Sequence, residues 1–570
     1  MKILQGVSAS PGIAIGPLYI YQPEQVSYRR YTPADPSIEW QRLQDALLVA
    51  DLQIRSVYEK AMTEAGSQQA AIFETQADML HDPGLLGKTR QNIQEQNINV
   101  EAALMDAAEF YARTFENVEN EYMQVRAADV RDVAFRLLCI LTGAAQPSAD
   151  IAEPSILVSR DLTPSDTVRL DKKLVIGFCT AEGGATSHTS ILAKAMGIPA
   201  VVGAGKEILA LPNGTLLAVD GERGEVIIEP DEETIRAIGE RRKKADALYA
   251  AERRLAHEPA VTMDGVNTRM LANIGSVSEA ETALELGAEG VGLLRTEFLF
   301  LDRSDPPSEE EQYLAYKSIL DMLGDLPMTV RTLDIGGDKP PPYLNLTRED
   351  NPFLGNRAIR MCLEKPSFFK VQLRALLRAS HGRNLRIMFP MIAQLMEFRK
   401  AKTLLEEARA EVIAAGHVVA DKVEVGVMVE IPAVVMMADQ FAREADFFSI
   451  GTNDLTQYTM AAERTNDKLS YLADACHPAI LRQVQRVIDS AHSCGIWVGL
   501  CGELAGDSDA IPILLGMGLD EFSMAPTMIP HAKAIIRRWT MTLGQKCVRD
   551  VLEHSSAGSV RQHMRRLRAG

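Results

Sequence analysis

Across the first 35 residues, apolar and β-branched positions come in short runs punctuated by Pro and Gly, which predicts strands and turns. From Ser37 the rhythm changes. Leu43, Leu47, Ala50, Ile54, Val57 and Ala61 recur at intervals of 4, 3, 4, 3 and 4, the period of an amphipathic helix. This texture runs to about Gly143, with breaks at Gly66, at His81–Gly84 and near Asn97–Asn99, and predicts four or five antiparallel helices over 36–143. Plain scaffold and docking surface for another protein are equally good readings of such a bundle. Residues 155–229 return to short strands and Gly-rich turns (SILVSRDL, KLVIGFCT, PAVVGAG, TLLAVDG, EVIIEP), with a helix expected between Ser190 and Met196. With 1–35 they predict one α/β domain, 1–35 and 144–230, which the helical segment interrupts. Residues 231–260 hold seven acidic and seven basic side chains and no turn cluster, the pattern of a solvated linker helix.

After Val261 the pattern becomes regular. Eight apolar, β-rich runs follow at 268–274, 290–296, 328–334, 384–391, 424–430, 447–452, 497–503 and 521–525. Helical stretches lie between them, among them 308–322, 367–380, 394–415, 433–442 and 478–494. Eight βα units in about 300 residues predict a (β/α)8 barrel over 261–570. An open doubly wound sheet fits less well, because no dinucleotide-type Gly fingerprint opens the first unit. The expected fold class is therefore multidomain α/β: a C-terminal barrel, and an N-terminal α/β domain with an inserted helical bundle.

Composition narrows the class. The 570 residues carry 60 Lys and Arg against 77 Asp and Glu, a net charge of −17, which argues against general nucleic-acid or anionic-membrane binding. No apolar run reaches the length of a membrane span, and the N-terminus lacks the apolar block of a secretory signal. Seven cysteines at scattered positions form no CxxC pair and read as reduced thiols of a cytoplasmic protein. The last forty residues are locally basic, with nine Lys and Arg against two Asp and Glu.

In a (β/α)8 barrel, chemistry sits at the C-terminal ends of the strands. The residues closing the predicted runs are Asn273, Arg295 with Glu297, Arg331 with Asp334, Glu430, Asn453 with Asp454, and Cys501 with Glu503. Two arginines ending successive strands suit a multiply anionic ligand, since the guanidinium fork pairs bidentately with carboxylate or phosphate. Lys339, in the loop GGDKPPP, adds a compact cation. Glu430 and Asp454 close neighbouring strands and are placed to share one Mg2+, although helix capping or pairing with the arginines would also explain them. Cys501, in GLCGELAG, reads by residue type as a small buried hydrophobe, and by position as a candidate proton carrier.

The segment Gly183–Ser190, GGATSHTS, sets His188 among hydroxyls where a Gly-rich turn enters a helix. Free amides at a helix start form an anion site, and a neutral imidazole nitrogen there can accept a phosphoryl group. This segment resembles the phosphohistidine signature of the phosphoenolpyruvate-utilising enzymes. FFSIGTNDLTQYTMAAER (447–464) resembles their second signature, and GVGLLRTEFLF, RTLDIGGDK, NPFLGNRAIR and CGELAGD also match. Motif order, the insertion at 37–143 and the length are similar to the enzyme I branch, which serves the bacterial sugar phosphotransferase system.

The resemblance implies a cytoplasmic homodimer that takes the phosphoryl group of phosphoenolpyruvate onto His188 and passes it to the small phosphocarrier protein HPr, releasing pyruvate. It implies that Thr167 bonds His188 at rest and that the helical insertion docks HPr. It further implies that Glu430 and Asp454 hold Mg2+, that Arg295, Arg331, Lys339, Asn453 and Arg464 grip phosphate and carboxylate with Arg357 nearby, and that Cys501 protonates the enolate. The chain departs from the family text at Ala185, where Arg is usual, at Asn356, where an aromatic residue is usual, and over 473–480. A dikinase or synthase of the same family needs a further ATP-binding domain, which this chain is expected to lack. A catalytically silent docking protein is disfavoured by His188, Glu430, Asp454 and Cys501.

Overall fold

A computed structural model describes the chain except for residues 22–25, 66–75, 117–120, 145–150, 152, 161, 163–173, 185–188, 191–192, 194–196, 302, 304, 337–340, 345, 347–348, 464–466 and 570. The chain divides into two compact units, Met1–Asp246 and Ala247–Gly570. Among the described residues no helix is long and apolar enough to cross a membrane.

The first unit is built on an eight-stranded sheet. Its strands are β1 (Lys2–Gln5), β2 (Val7–Ser10), β3 (Ile13–Ile20), β4 (Ser155–Ser159), β5 (Val175–Thr180), β6 (Ala200–Val202), β7 (Leu216–Asp220) and β8 (Glu225–Ile228). The order is β1-β8-β7-β3-β4-β5-β6-β2, so β3 lies antiparallel to β7 and parallel to β4. Leu18 of β3 sits opposite Ile156 of β4, which joins the segments before and after the helices into one sheet. Between them, the helices Pro36–Ala65, Pro83–Glu95, Val100–Glu116 and Glu121–Thr142 bury a core of their own around Leu43, Ile54, Leu104 and Leu137. The HDPG break is a helix start: the Asp82 side chain accepts from the Leu85 N–H, and Pro83 takes the first turn, where no N–H is needed. Most of the helix expected between Ser190 and Met196 lies outside the described residues.

The charge-rich segment folds as the helix Glu232–Arg254, shorter than the expected 231–260. Its last residues turn into a two-residue strand, β9 (Ala260–Val261), antiparallel to the first barrel strand. The barrel strands are β10 (Asn267–Ile274), β11 (Val291–Arg295), β12 (Met328–Arg331), β13 (Leu385–Phe389), β14 (Glu424–Val429), β15 (Phe447–Ile450), β16 (Trp497–Leu500) and β17 (Glu521–Met524). All eight are parallel, and β10 pairs with both β11 and β17, so the barrel closes. The strands bury nearly every side chain, because helices cover them outside and side chains fill the interior. Most expected return helices are present at Glu309–Leu323, Pro366–Ala379, Leu395–Ala414 and Pro478–Ser493. The stretch 433–442 breaks at Met437 into two short helices, Pro432–Met436 and Ala438–Phe441. A small cluster of Leu293, Met388, Met428, Phe447 and Cys501 plugs the barrel interior, separate from the large core between strands and helices. Within it Phe447 stacks on Trp497 at 4.5 Å between ring centroids, and Arg386 lies over Trp497 while pairing with Glu521 at 3.0 Å.

Candidate active site

The polar residues closing the strands converge on one mouth, as parallel strands of a closed barrel require. Arg331 ends β12 with its side chain 12% exposed, and it pairs with Glu297 and Asp334, each at 3.1 Å. Asp334 also holds Arg357: its Oδ1 accepts from Nη2 at 2.9 Å and its Oδ2 from the same nitrogen at 3.0 Å. Gly336, at φ +126°, lies against that arginine; a Cβ there would come within 2.5 Å of the Arg357 Cβ. Arg357 further donates to the Tyr458 hydroxyl at 3.3 Å and stands 3.7 Å from an Asp454 oxygen. Burial works against charging both guanidinium groups, but the facing carboxylates outweigh it and hold both firmly protonated.

Glu430 follows β14 and is fully buried. One oxygen, Oε1, accepts the Met391 N–H at 2.6 Å, whereas Oε2 has no hydrogen-bond partner among the described residues. Burial, and then the charges of Asp454 and Asp334, push its carboxyl up to about 8. The Arg331 charge and the Met391 N–H offset only part of this, so a cation that joins the two carboxylates stabilises the pair. Gly451 leaves room at this point, since a Cβ there would come within 3.0 Å of Oε2. Asp454, its side chain 13% exposed, stands in the first turn of the helix Thr452–Met460, one residue from Asn453. The residues present therefore fit a hard divalent cation, with oxygen donors from Glu430 and Asp454 and further positions left for a ligand and water. Among the described residues no group of three or more His, Cys, Asp or Glu side chains could hold a metal alone.

Cys501 follows β16 and is 3% exposed. Its thiol lies 3.7 Å from the Ile450 carbonyl, and its backbone carbonyl accepts from Asn273 at 2.9 Å. Burial pushes the thiol up to about 11, against the lowering influence of the Ser449 hydroxyl and the Arg331 and Arg295 guanidinium charges. Cys501 thus belongs to the apolar plug and lies within electrostatic reach of the Arg331 and Arg295 guanidinium groups. Asn453 locks the neighbouring turn, donating to Glu503 at 3.2 Å and accepting from its N–H at 3.0 Å. Gly502 permits this approach, since a Cβ there would meet Thr452 Oγ1 at 1.9 Å.

Of the residues singled out by sequence, the structure thus brings Arg331, Arg357, Glu430, Asn453, Asp454 and Cys501 to one mouth. Arg295 ends β11 exposed, within electrostatic reach of Cys501. Thr167, His188, Lys339 and Arg464, with Ala185, lie outside the described residues. Asn356 donates its side-chain amide to Glu364, and its backbone N–H reaches Glu349 at 3.0 Å. Tyr458 was not legible as a site residue, although it stands one helical turn beyond Asp454. That spacing was the available signal.

The PEP-utilising enzyme, PEP-binding domain family matches residues 249–541, the N-terminal family residues 5–126, and the mobile-domain family residues 151–224. The phosphoenolpyruvate-protein phosphotransferase of Geobacillus stearothermophilus is 47% identical over 99% of this chain and 98% of its own. That of Bacillus subtilis is 45% identical over 98% of both chains, and that of Listeria innocua 46% over the same shares. The chain belongs to the phosphoenolpyruvate-protein phosphotransferases. As a member of this PEP-utilising family it is a phosphotransferase, and the mouth just described falls within the PEP-binding match.

Proposed function

We propose that the protein transfers the phosphoryl group of phosphoenolpyruvate to its own His188 and then to a histidine of HPr, releasing pyruvate, as the first step of the sugar phosphotransferase system. The observation that carries this reading is the buried Glu430 carboxylate, one oxygen of which has no hydrogen-bond partner among the described residues, beside Asp454 and beneath the arginine rim. Residues 1–35 and 144–230 form the phosphohistidine domain, 36–143 the HPr-docking insertion, 231–260 the linker, and 261–570 the PEP-binding and dimerisation domain of a cytoplasmic homodimer. Glu430 and Asp454 hold Mg2+, which when bound supplies charge neutralisation for a substrate phosphate. Arg295, Arg331, Lys339, Asn453 and Arg464 hold phosphate and carboxylate, with Arg357 behind them, and Thr167 bonds the resting imidazole.

A neutral ring nitrogen of His188 attacks phosphorus; the N–P bond forms as the bond from phosphorus to the enol oxygen breaks. The arginines stabilise the charge spread over the phosphoryl oxygens, and the leaving group is the enolate of pyruvate. Cys501 then gives its S–H proton to the enolate methylene carbon, and the thiolate recovers a proton from water. A thiol held near 11 is protonated about ten-thousandfold over thiolate at pH 7, so the donor is loaded at each turnover.

Incubation with labelled phosphoenolpyruvate and Mg2+ tests the proposal. Acid-labile, alkali-stable label that chases onto HPr is expected; uptake of label by His188→Ala overturns it. Cys501→Ala is expected to slow pyruvate formation greatly while leaving transfer from phospho-HPr back to His188 intact.

A further inference from the structure

The basic C-terminal helix Ala557–Ala569 lies outside every role assigned above, yet it is not a loose tail. Val560 and Met564 are fully buried in the barrel unit's core, which seats one face of the helix. Arg561, Arg565 and Arg568 recur at spacings of 4 and 3 and so form a second, neighbouring stripe. All three reach acidic side chains on connections at the mouth end of the barrel.

Arg561 makes the central contacts. Its Nε and Nη2 donate to the two oxygens of Asp474 at 2.7 and 2.8 Å, and its Nη1 donates to Asp507 at 2.8 Å. Asp509, its side chain 7% exposed, takes Arg568 at 2.9 Å and lies 3.4 Å from Arg565 and 3.6 Å from Arg561. The carboxylates belong to different connections. Asp474 lies between the helix Thr452–Met460, which carries Asn453 and Asp454, and the return helix Pro478–Ser493. Asp507 and Asp509 lie between Cys501 at the end of β16 and the helix Ile511–Met517. Each carboxylate is fixed locally as well: Asp474 accepts from the Cys476 N–H at 2.9 Å, and Asp507 from the Asp509 N–H at 2.8 Å.

These two connections meet twice. Nearer the chemistry, Asn453 and Glu503 exchange hydrogen bonds, and Gly502 lets Thr452 approach. Farther out, Arg561 spans the same pair. A guanidinium with three of its nitrogens engaged on two carboxylates fixes their separation, which a single-point ammonium does not. The stretch 473–480, where the chain departs from the usual family text, supplies one end of this clamp, Asp474.

We infer that Arg561 is a positioning residue for the transfer: it sets the connection bearing Cys501 against the connection bearing Asn453 and Asp454, and so sets the distance from the thiol to the enolate carbon. The inference rests on the proposed role of Cys501 as proton donor. Asp454 keeps its own contact with Arg357 at 3.7 Å when Arg561 is removed, so the loss moves the thiol relative to the ligand and acts on protonation more than on binding.

The test follows pyruvate formation, the KM for phosphoenolpyruvate and phosphoryl return from phospho-HPr to His188, in the full-length Arg561→Ala, Arg561→Lys and Cys501→Ala proteins. Arg561→Ala is expected to slow pyruvate formation by about 10- to 100-fold, the scale of a displacement near 1 Å at a reacting group. KM should shift less than about twofold, phosphoryl return should stay at the wild-type rate, and the solvent deuterium isotope effect on pyruvate formation should rise as proton transfer becomes limiting. Arg561→Lys, which keeps charge but not the fork, should recover only part of the rate. A raised KM with unchanged pyruvate formation, or a loss of phosphoryl return, overturns the inference. Wild-type pyruvate formation by Cys501→Ala sinks the proton-donor reading itself; slow Cys501→Ala with wild-type Arg561→Ala sinks the positioning role alone. Should Arg561→Ala fail to fold, Asp507→Asn is read by the same measurements, since it weakens the clamp while keeping the oxygen that accepts from Asp509.

Discussion

Replacing Glu430 with Gln should change how the barrel responds to pH. With its folded value pushed from 4.5 to about 8, Glu430 binds its proton more tightly folded than unfolded. Its contribution is therefore fully present below 4.5 and is lost as pH rises through 8. At 1.36 kcal/mol per unit, about 1 kcal/mol is lost by pH 5 and about 5 kcal/mol by pH 9, a difference of about 4 kcal/mol. Glutamine cannot titrate, and its amide oxygen can still accept the Met391 N–H, so any fixed cost of the buried NH2 group is the same at every pH. In a unit the size of Ala247–Gly570, with an unfolding entropy of about 2.1 cal/mol/K per residue, 1 kcal/mol moves the melting temperature by roughly 1.5 °C. The Glu430→Gln curve, measured by calorimetry in EDTA, should rise relative to wild type by about 6 °C between pH 5 and pH 9. With Mg2+ at pH 8 the wild-type barrel should gain stability and Glu430→Gln should not. Parallel pH profiles in EDTA would refute the reasoning, because they would mean that the Glu430 carboxylate is compensated within the protein.

Asp334→Asn should destabilise the barrel by about 3–5 kcal/mol, because two buried guanidinium groups lose the carboxylate they share; denaturant titration measures it. Gly502→Ala should slow pyruvate formation more than it lowers the melting temperature, since its Cβ pushes the Cys501 turn off Thr452. Iodoacetamide at pH 8 followed by peptide mapping should label exposed Cys494 well before Cys501, whose labelling should keep accelerating with pH toward 11.

The barrel was legible because each strand is buried on both faces and reads as an unbroken apolar run, and because a parallel barrel gathers the residues after those runs at one end. Arg331, Glu430 and Asp454 followed from that rule alone. Their pairings did not, since Arg357 is joined to Asp334 by a loop path that has no period. The role of the Met391 N–H was hidden for another reason: it is a backbone group, aimed by a residue at φ +54° that side-chain chemistry does not mark. The two-residue strand β9 was merged into the linker helix, because pairing with β10 rather than local propensity makes it a strand. In the first unit, the helical period announced the insert, but nothing local announced that Leu18 would find Ile156.

That pairing sets a timetable for synthesis. Residues 18 and 156 are 156 − 18 = 138 positions apart, so a ribosome working at about 5–20 residues per second delivers the partner of β3 about 7–28 s after β3 itself. Its other neighbour, β7, arrives later still. The helices emerge in between and can pack through contacts local to themselves, around their own core. The nascent chain thus carries a helical body that can pack by itself while β3, like β1 and β2 before it, waits with open edges for partners still to be made.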